Sequence, residues 1–202
     1  MTSRISTYIA LAALAAALAG PPAAYAAMEE PAAETTTAKT PAADGAAEDA
    51  TKPPVASETT TECKDGKVFD AVKKECLDPK KSGLSDDLLF KAARELAYAG
   101  QYENTLKVLD AVEDQNSARV LNYRGYANRK AGRMELGMQY YKRALQADEN
   151  YILARSYMGQ ALIQQGQIEE AKVQLIEIRD RGGENTWAYR ALLESLGGVR
   201  QY

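Results

Sequence analysis

The sequence predicts an all-α fold, a stack of antiparallel helix pairs, and three observations predict it. The first is a period. Gly125 and Gly159, Gly132 and Gly166, Met134 and Ile168, Gly137 and Ala171, and Tyr141 and Leu175 each lie 34 residues apart. A fixed period of this size marks a stacked repeat in which one supersecondary unit recurs. The second is punctuation. Gly132 and Gly166 fall in the middle of their copies, where glycine reaches the left-handed angles that close one helix and start the next. The third is facing. Gly137 precedes Tyr141 and Ala171 precedes Leu175 by four residues, one helical turn, so a small and a bulky residue share one face of each second helix.

At these residues the chain resembles the tetratricopeptide repeat family. Met158-Gly159, Leu162, Gly166, Ile168, Ala171 and Leu175 carry the likeness in one copy. Gly125, Gly132, Met134, Tyr141, Ala144 and Leu145 carry it in the other. The chain departs from the family pattern at Arg124, where Leu is usual, at Asn128, where Tyr is usual, and at Gly137, where Ala is usual; no Pro ends either repeat. The resemblance implies a right-handed superhelix of helix pairs whose first helices line a concave groove, and a non-catalytic protein that binds a peptide or helix of a partner there.

In chain order, residues 1–26 read as a signal peptide. Arg4 gives a positive start, Tyr8 to Leu18 is apolar, and Ala24-Tyr25-Ala26 supplies a small-x-small cleavage pattern. The apolar run is shorter than the roughly 20 residues of a membrane span, and Gly20-Pro21-Pro22 would break its helix. No stable membrane span is therefore expected after cleavage, and the mature chain is expected to be periplasmic or secreted, in a bacterial envelope. Residues 27–61 read as a disordered acidic linker rich in Ala, Pro and Thr, with Met28 and Val55 as its bulky apolar residues. From 27 to 62 there are eight acids and two bases.

Residues 62–79 read as a small separate hairpin. Asp65-Gly66 is a turn signal, Val68-Phe69 a short strand, and 71–74 a second turn. Cys63 and Cys76 are the only cysteines. In an oxidising compartment they are expected to pair, closing a loop that contributes roughly 3 kcal/mol by chain entropy. Two thiols without histidine make half a zinc shell, so no metal is expected. Cys63, Gly66, Val68, Phe69, Asp70 and Cys76 are also similar to part of the peritrophin-type chitin-binding domain, over about 14 residues. That likeness implies an alternative, a cell-wall glycan adaptor with Phe69 stacking on a sugar ring.

Residues 84–202 read as the repeat domain, with repeats at about 86–117, 118–151 and 152–185 and a capping helix at 186–196. The first repeat is degenerate, with Ala93, Leu96, Gly100, Tyr102, Leu109 and Val112 in the pattern's places. Ser117 is a candidate helix cap. Trp187, Ala191 and Leu192 would cover the open face of the last repeat, as a stack requires for solubility.

The groove implied by the resemblance would present Phe90, Arg94 and Tyr98, then Arg119, Asn122, Tyr126, Arg129 and Lys130, then Gln160, and finally Arg190 beside Trp187. Aromatic residues and Arg are the types that most often anchor interfaces. Tyr123, Tyr140 and Tyr141 read as packing. From Gly83 onward acids and bases number 16 each, so no basic excess points to nucleic acid. The absence of histidine removes the commonest general base. Arg181-Gly182-Gly183-Glu184 lacks the lysine and spacing of a phosphate loop. No enzyme activity, catalytic residue or cofactor is expected.

Overall fold

The computed structural model describes residues 53–81 and 83–198. The expected signal peptide and most of the expected linker lie outside the described residues. The fold is all-α apart from one small hairpin. A short helix α1 (Glu58–Thr61) leads to strands β1 (Val68–Asp70) and β2 (Glu75–Leu77) and a 3-10 turn, Pro79–Lys81. The helix pairs follow: α2 (Asp86–Tyr98) with α3 (Tyr102–Leu109), α4 (Ala118–Lys130) with α5 (Met134–Ala147), and α6 (Ile152–Gln164) with α7 (Ile168–Asp180). A last helix, α8 (Trp187–Leu196), packs on α6 and α7.

The first helix of every pair ends in the same way. Gly132 and Gly166 have φ of +85° and +78°. The residue after each glycine donates its N–H back five positions into the helix, Arg133 to Asn128 O at 2.8 Å and Gln167 to Leu162 O at 2.9 Å. This satisfies carbonyls that would otherwise be orphaned at the helix end. The degenerate first pair closes likewise at Gly100, and α7 ends likewise at Gly182. Helix starts are less uniform. Ser85 and Thr186 cap α2 and α8 through their side chains. Ser117 takes the N-cap position of α4 but donates its hydroxyl to Asp114 O at 3.1 Å and makes no side-chain cap bond.

Close approach between helices explains the small residues. A Cβ on Gly125 would lie 2.6 Å from Tyr141 Cε1, and one on Gly137 would lie 3.0 Å from Arg129 Cβ. These paired absences let α4 and α5 meet backbone to backbone. Gly159 differs: its Cβ would strike Leu192 of α8 at 2.7 Å. The last helix, rather than the partner within the pair, fixes that glycine. Ala188, Ala191 and Leu192 are buried as the capping role requires.

The hairpin is not separate from the repeats. Val68 is fully buried and belongs to the same apolar core as α2 and α4. The strands pair antiparallel, with Phe69 opposite Cys76, and the Cys63–Cys76 disulfide closes the loop. Lys107 of α3 donates to Asp65 O at 2.6 Å. The end of the expected linker also differs from its reading, because Ser57 to Thr61 is folded. Glu95, a buried carboxylate on α2, accepts from Ser57 N at 2.7 Å, Ser57 Oγ at 2.5 Å, Thr60 N at 3.2 Å and Thr60 Oγ1. Thr59 Oγ1 in turn accepts from Phe69 N at 3.2 Å. A carboxylate filled by donors in this way is a charge-assisted clasp, and it draws α1 and the hairpin onto the first helix pair.

Two substitutions test these contacts. Glu95→Ala should cost about 2 kcal/mol and should make the chain between Ser57 and Lys67 the first site of limited proteolysis. Gly125→Ala should destabilise although alanine favours a helix by up to ~1 kcal/mol, because overpacking against Tyr141 costs about 1–3 kcal/mol. Thermal melting followed by circular dichroism should show a lower midpoint for both.

Candidate inner-face site

The first helices α2, α4 and α6 and the last helix α8 form one face of the stack, here the inner face. Tyr157 of α6 sits at its middle, fully buried. Its ring lies 4.9 Å from Tyr126, 6.3 Å from Tyr123, 6.4 Å from Tyr141 and 6.5 Å from Trp187. Its hydroxyl hydrogen-bonds that of Tyr98. Tyr98 also stacks on Tyr126 at 5.6 Å with planes 8° apart, and stands 6.2 Å from Trp187. Phe90 meets Tyr123 edge-on at 5.5 Å. Centroid distances of this kind are those at which aromatic pairs attract beyond their area burial.

The residues expected to line a groove divide by burial. Phe90, Asn122, Tyr126, Arg129 and Gln160 are buried. Arg94, Tyr98, Arg119 and Lys130 are half-buried, and Arg190 is exposed. The inner face is thus a filled aromatic layer with a half-exposed rim rather than an open channel. Arg94 Nε donates to Tyr123 Oη at 2.9 Å. The Arg119 guanidinium lies 4.6 Å over the Phe90 ring and pairs with Asp87 at 3.3 Å. Asp87 also holds Lys91 at 2.9 Å, and that hydrogen bond, with help from Arg119, keeps its carboxyl below the usual range. Arg190 donates to Asn185 O at 3.1 Å.

Two further cations border the aromatic layer. Arg129 lies 5.5 Å over Tyr126 and donates from Nε to Tyr141 Oη at 3.2 Å. Burial works against its charge, but the hydroxyls of Tyr141 and Tyr126 outweigh that and hold its pKa above the usual value. Lys130 Nζ lies 5.9 Å from the Tyr126 ring. Among the described residues no carboxylate lies within ion-pair distance of it. Burial, then the neighbouring Arg129, pulls its pKa down. Buried amides complete the face. Neither side-chain atom of Asn122 has a partner among the described residues, and Gln160 uses Nε2 on Ser156 Oγ at 3.4 Å while its Oε1 has none.

Sequence reasoning placed Tyr123 and Tyr141 correctly in the packing, and both are fully buried. It missed Tyr157. The signal was present, because Tyr157 follows Tyr123 by the 34-residue period. Phe69, the one aromatic of the hairpin, is half-buried, with its strand against α1. A shallow groove of about 520 Å³ also opens between α5, α6 and α7, floored by Met138, Met158 and Leu162. No cluster of potential metal ligands occurs among the described residues, and no helix among them is long and apolar enough to cross a membrane.

A tetratricopeptide repeat family model matches residues 129–196, the stretch that runs from the end of α4 through α8. No curated protein matches the chain, and no solved structure matches it.

The phenols of this face define its pH response. Burial first, and neighbouring tyrosines second, raise Tyr126 and Tyr157 above the ordinary phenol value of 10.0. Burial raises Tyr141 too, although Arg129 opposes it. A pKa raised by folding contributes stability that is complete below the unfolded value and is lost as pH rises above it. Denaturant stability should therefore hold up to about pH 10 and fall beyond it. Tyrosinate absorbance should show these phenols ionising only as the fold opens.

Proposed function

We propose, from the match of residues 129–196 to a tetratricopeptide repeat family model, that the chain is a non-catalytic scaffold of the cell envelope that holds a partner protein at its inner face. Repeats of this family generally mediate protein–protein interaction and are typically non-catalytic. The observation that carries the reading is the rim of the inner face. Half-exposed Tyr98 stacks on Tyr126, the ring that Lys130 approaches with no carboxylate in reach among the described residues, and half-exposed Trp187 shares α8 with exposed Arg190. Aromatic residues and cations of this kind anchor interfaces once they are desolvated, and a carboxylate on the partner would complete Lys130.

The envelope part of the reading rests on the amino-terminal sequence and on the disulfide. The Ala24-Tyr25-Ala26 pattern would release a chain beginning at Ala27, and the disulfide suits an oxidising compartment. The glycan reading of the hairpin gains nothing from Phe69, whose half-buried ring offers little face to a sugar.

The test is crosslinking of the tagged full chain in its own cells, followed by mass spectrometry. Lys130→Glu combined with Arg190→Glu serves as the control, because neither side chain is fully buried. Proteins captured by the wild type and reduced roughly ten-fold or more in the control, a loss of about 1.4 kcal/mol, are the expected result. Equal capture by both would remove the inner face as the binding site. A purified chain that retains Met1 and fractionates with the cytoplasm would remove the envelope assignment.

A further inference from the structure

Tyr98 differs from the other tyrosines of the inner face. Tyr123, Tyr126, Tyr141 and Tyr157 are buried, whereas Tyr98 is half-buried. It is the last residue of α2 and is followed by Ala99 and the left-handed Gly100. Terminal turns open at lower free energy than helix interiors. Yet its side chain crosses the inner face. It stacks flat on Tyr126 of α4, touches Trp187 of α8 and hydrogen-bonds the hydroxyl of Tyr157 on α6. One side chain from the first helix pair thus fills a flat slot. Tyr126 is its floor, Trp187 its wall and the Tyr157 hydroxyl its end.

We propose that Tyr98 is an internal placeholder, and that the inner face takes a peptide whose tyrosine side chain, flanked by carboxylates, displaces Tyr98 from the slot between Tyr126 and Trp187. This rests on the inner-face reading above and names the chemistry of its partner. An incoming tyrosine restores each contact in kind: the parallel stack, the contact with the indole and the hydrogen bond to Tyr157. An aliphatic side chain restores none of the three. The flanking acids follow from Lys130, whose Nζ lies over the Tyr126 ring, 5.9 Å from its centre, with no carboxylate in reach among the described residues. Displacement also explains how a filled face could bind. The closed arrangement lowers the apparent affinity by the fraction of time the slot is free, and the partner opens it by supplying a better-charged copy of the same ring.

Trp187 is the only tryptophan in the chain, so its fluorescence reports on the slot. The probe is acetyl-Asp-Tyr-Asp-amide, titrated into the full-length protein and its variants, with acetyl-Asp-Ala-Asp-amide as the control. Tyr98→Ala should bind the tyrosine peptide about ten-fold tighter than the wild type, because the competing population is gone. It should not gain affinity for the alanine peptide. Tyr98→Phe keeps the stack and loses the hydroxyl bond, and should bind the tyrosine peptide about 3–5-fold tighter. Acetyl-Lys-Tyr-Lys-amide should bind every form more weakly.

Equal affinity of wild type and a folded Tyr98→Ala for the tyrosine peptide would overturn the proposal, as would an equal gain for the alanine peptide. If Tyr98→Ala melts below the assay temperature, Tyr98→Phe decides, and unchanged affinity there overturns it. Proteins captured in cells in a Lys130-dependent manner, with no change at Tyr98→Phe, would sink the placeholder and leave the inner face as a binding site. A gain in the peptide assay with no partner captured would support the slot and remove the scaffold reading.

Discussion

Tyr157 is where the helix pairs are tied together. Its buried ring is in reach of rings on α4, α5 and α8, and its hydroxyl reaches α2. A stack of helix pairs is ordinarily a quasi-one-dimensional object in which each unit touches only its neighbours. Here side chains on the first and last helices, Tyr98 and Trp187, come within 6.2 Å of one another. The rings convert a chain of nearest-neighbour interfaces into one shared core. The tight crossing of α4 and α5 serves the same end, because the absent side chain at Gly125 is what lets Tyr141 reach inward.

The charges follow from that core. Arg129 tolerates its burial because the faces and hydroxyls of Tyr126 and Tyr141 surround it. Arg119 lies on Phe90 and pairs with Asp87. Among the described residues Lys130 has no carboxylate in ion-pair reach, and it lies beside rings that are already stacked.

Much of this was legible in the sequence for a definite reason. The period and the glycines at Gly132 and Gly166 report backbone geometry, which is local, so the helix pairs and their turns were readable. The types of the inner-face residues were readable from the same register. Their burial was not, because a register says which residues share a face and not how tightly that face curls on itself. Asn122, Tyr126, Arg129 and Gln160 were expected at a groove and lie inside it. Tyr157 was overlooked although its position matches Tyr123, since a second tyrosine at one register position reads as packing until its neighbours are known. The docking of the hairpin was out of reach for another reason. Glu95 looks like any acid on a helix, and its partners Ser57 and Thr60 lie 38 and 35 residues away in a stretch whose composition suggests a linker.

The clasp at Glu95 also decides how the domain bears a pull. Tension applied at Ser57 would fall first on the hydrogen bonds to Glu95 of α2. Beyond them the disulfide would carry the load directly from Cys63 to Cys76, so the strands between these residues would be spared and the force would pass to Pro79 and the start of α2. The load would thus act on α2 at Glu95 while the clasp holds, and at the start of α2 once it has given way. The clasp is in this sense a mechanical fuse, and the disulfide keeps the hairpin closed when it yields.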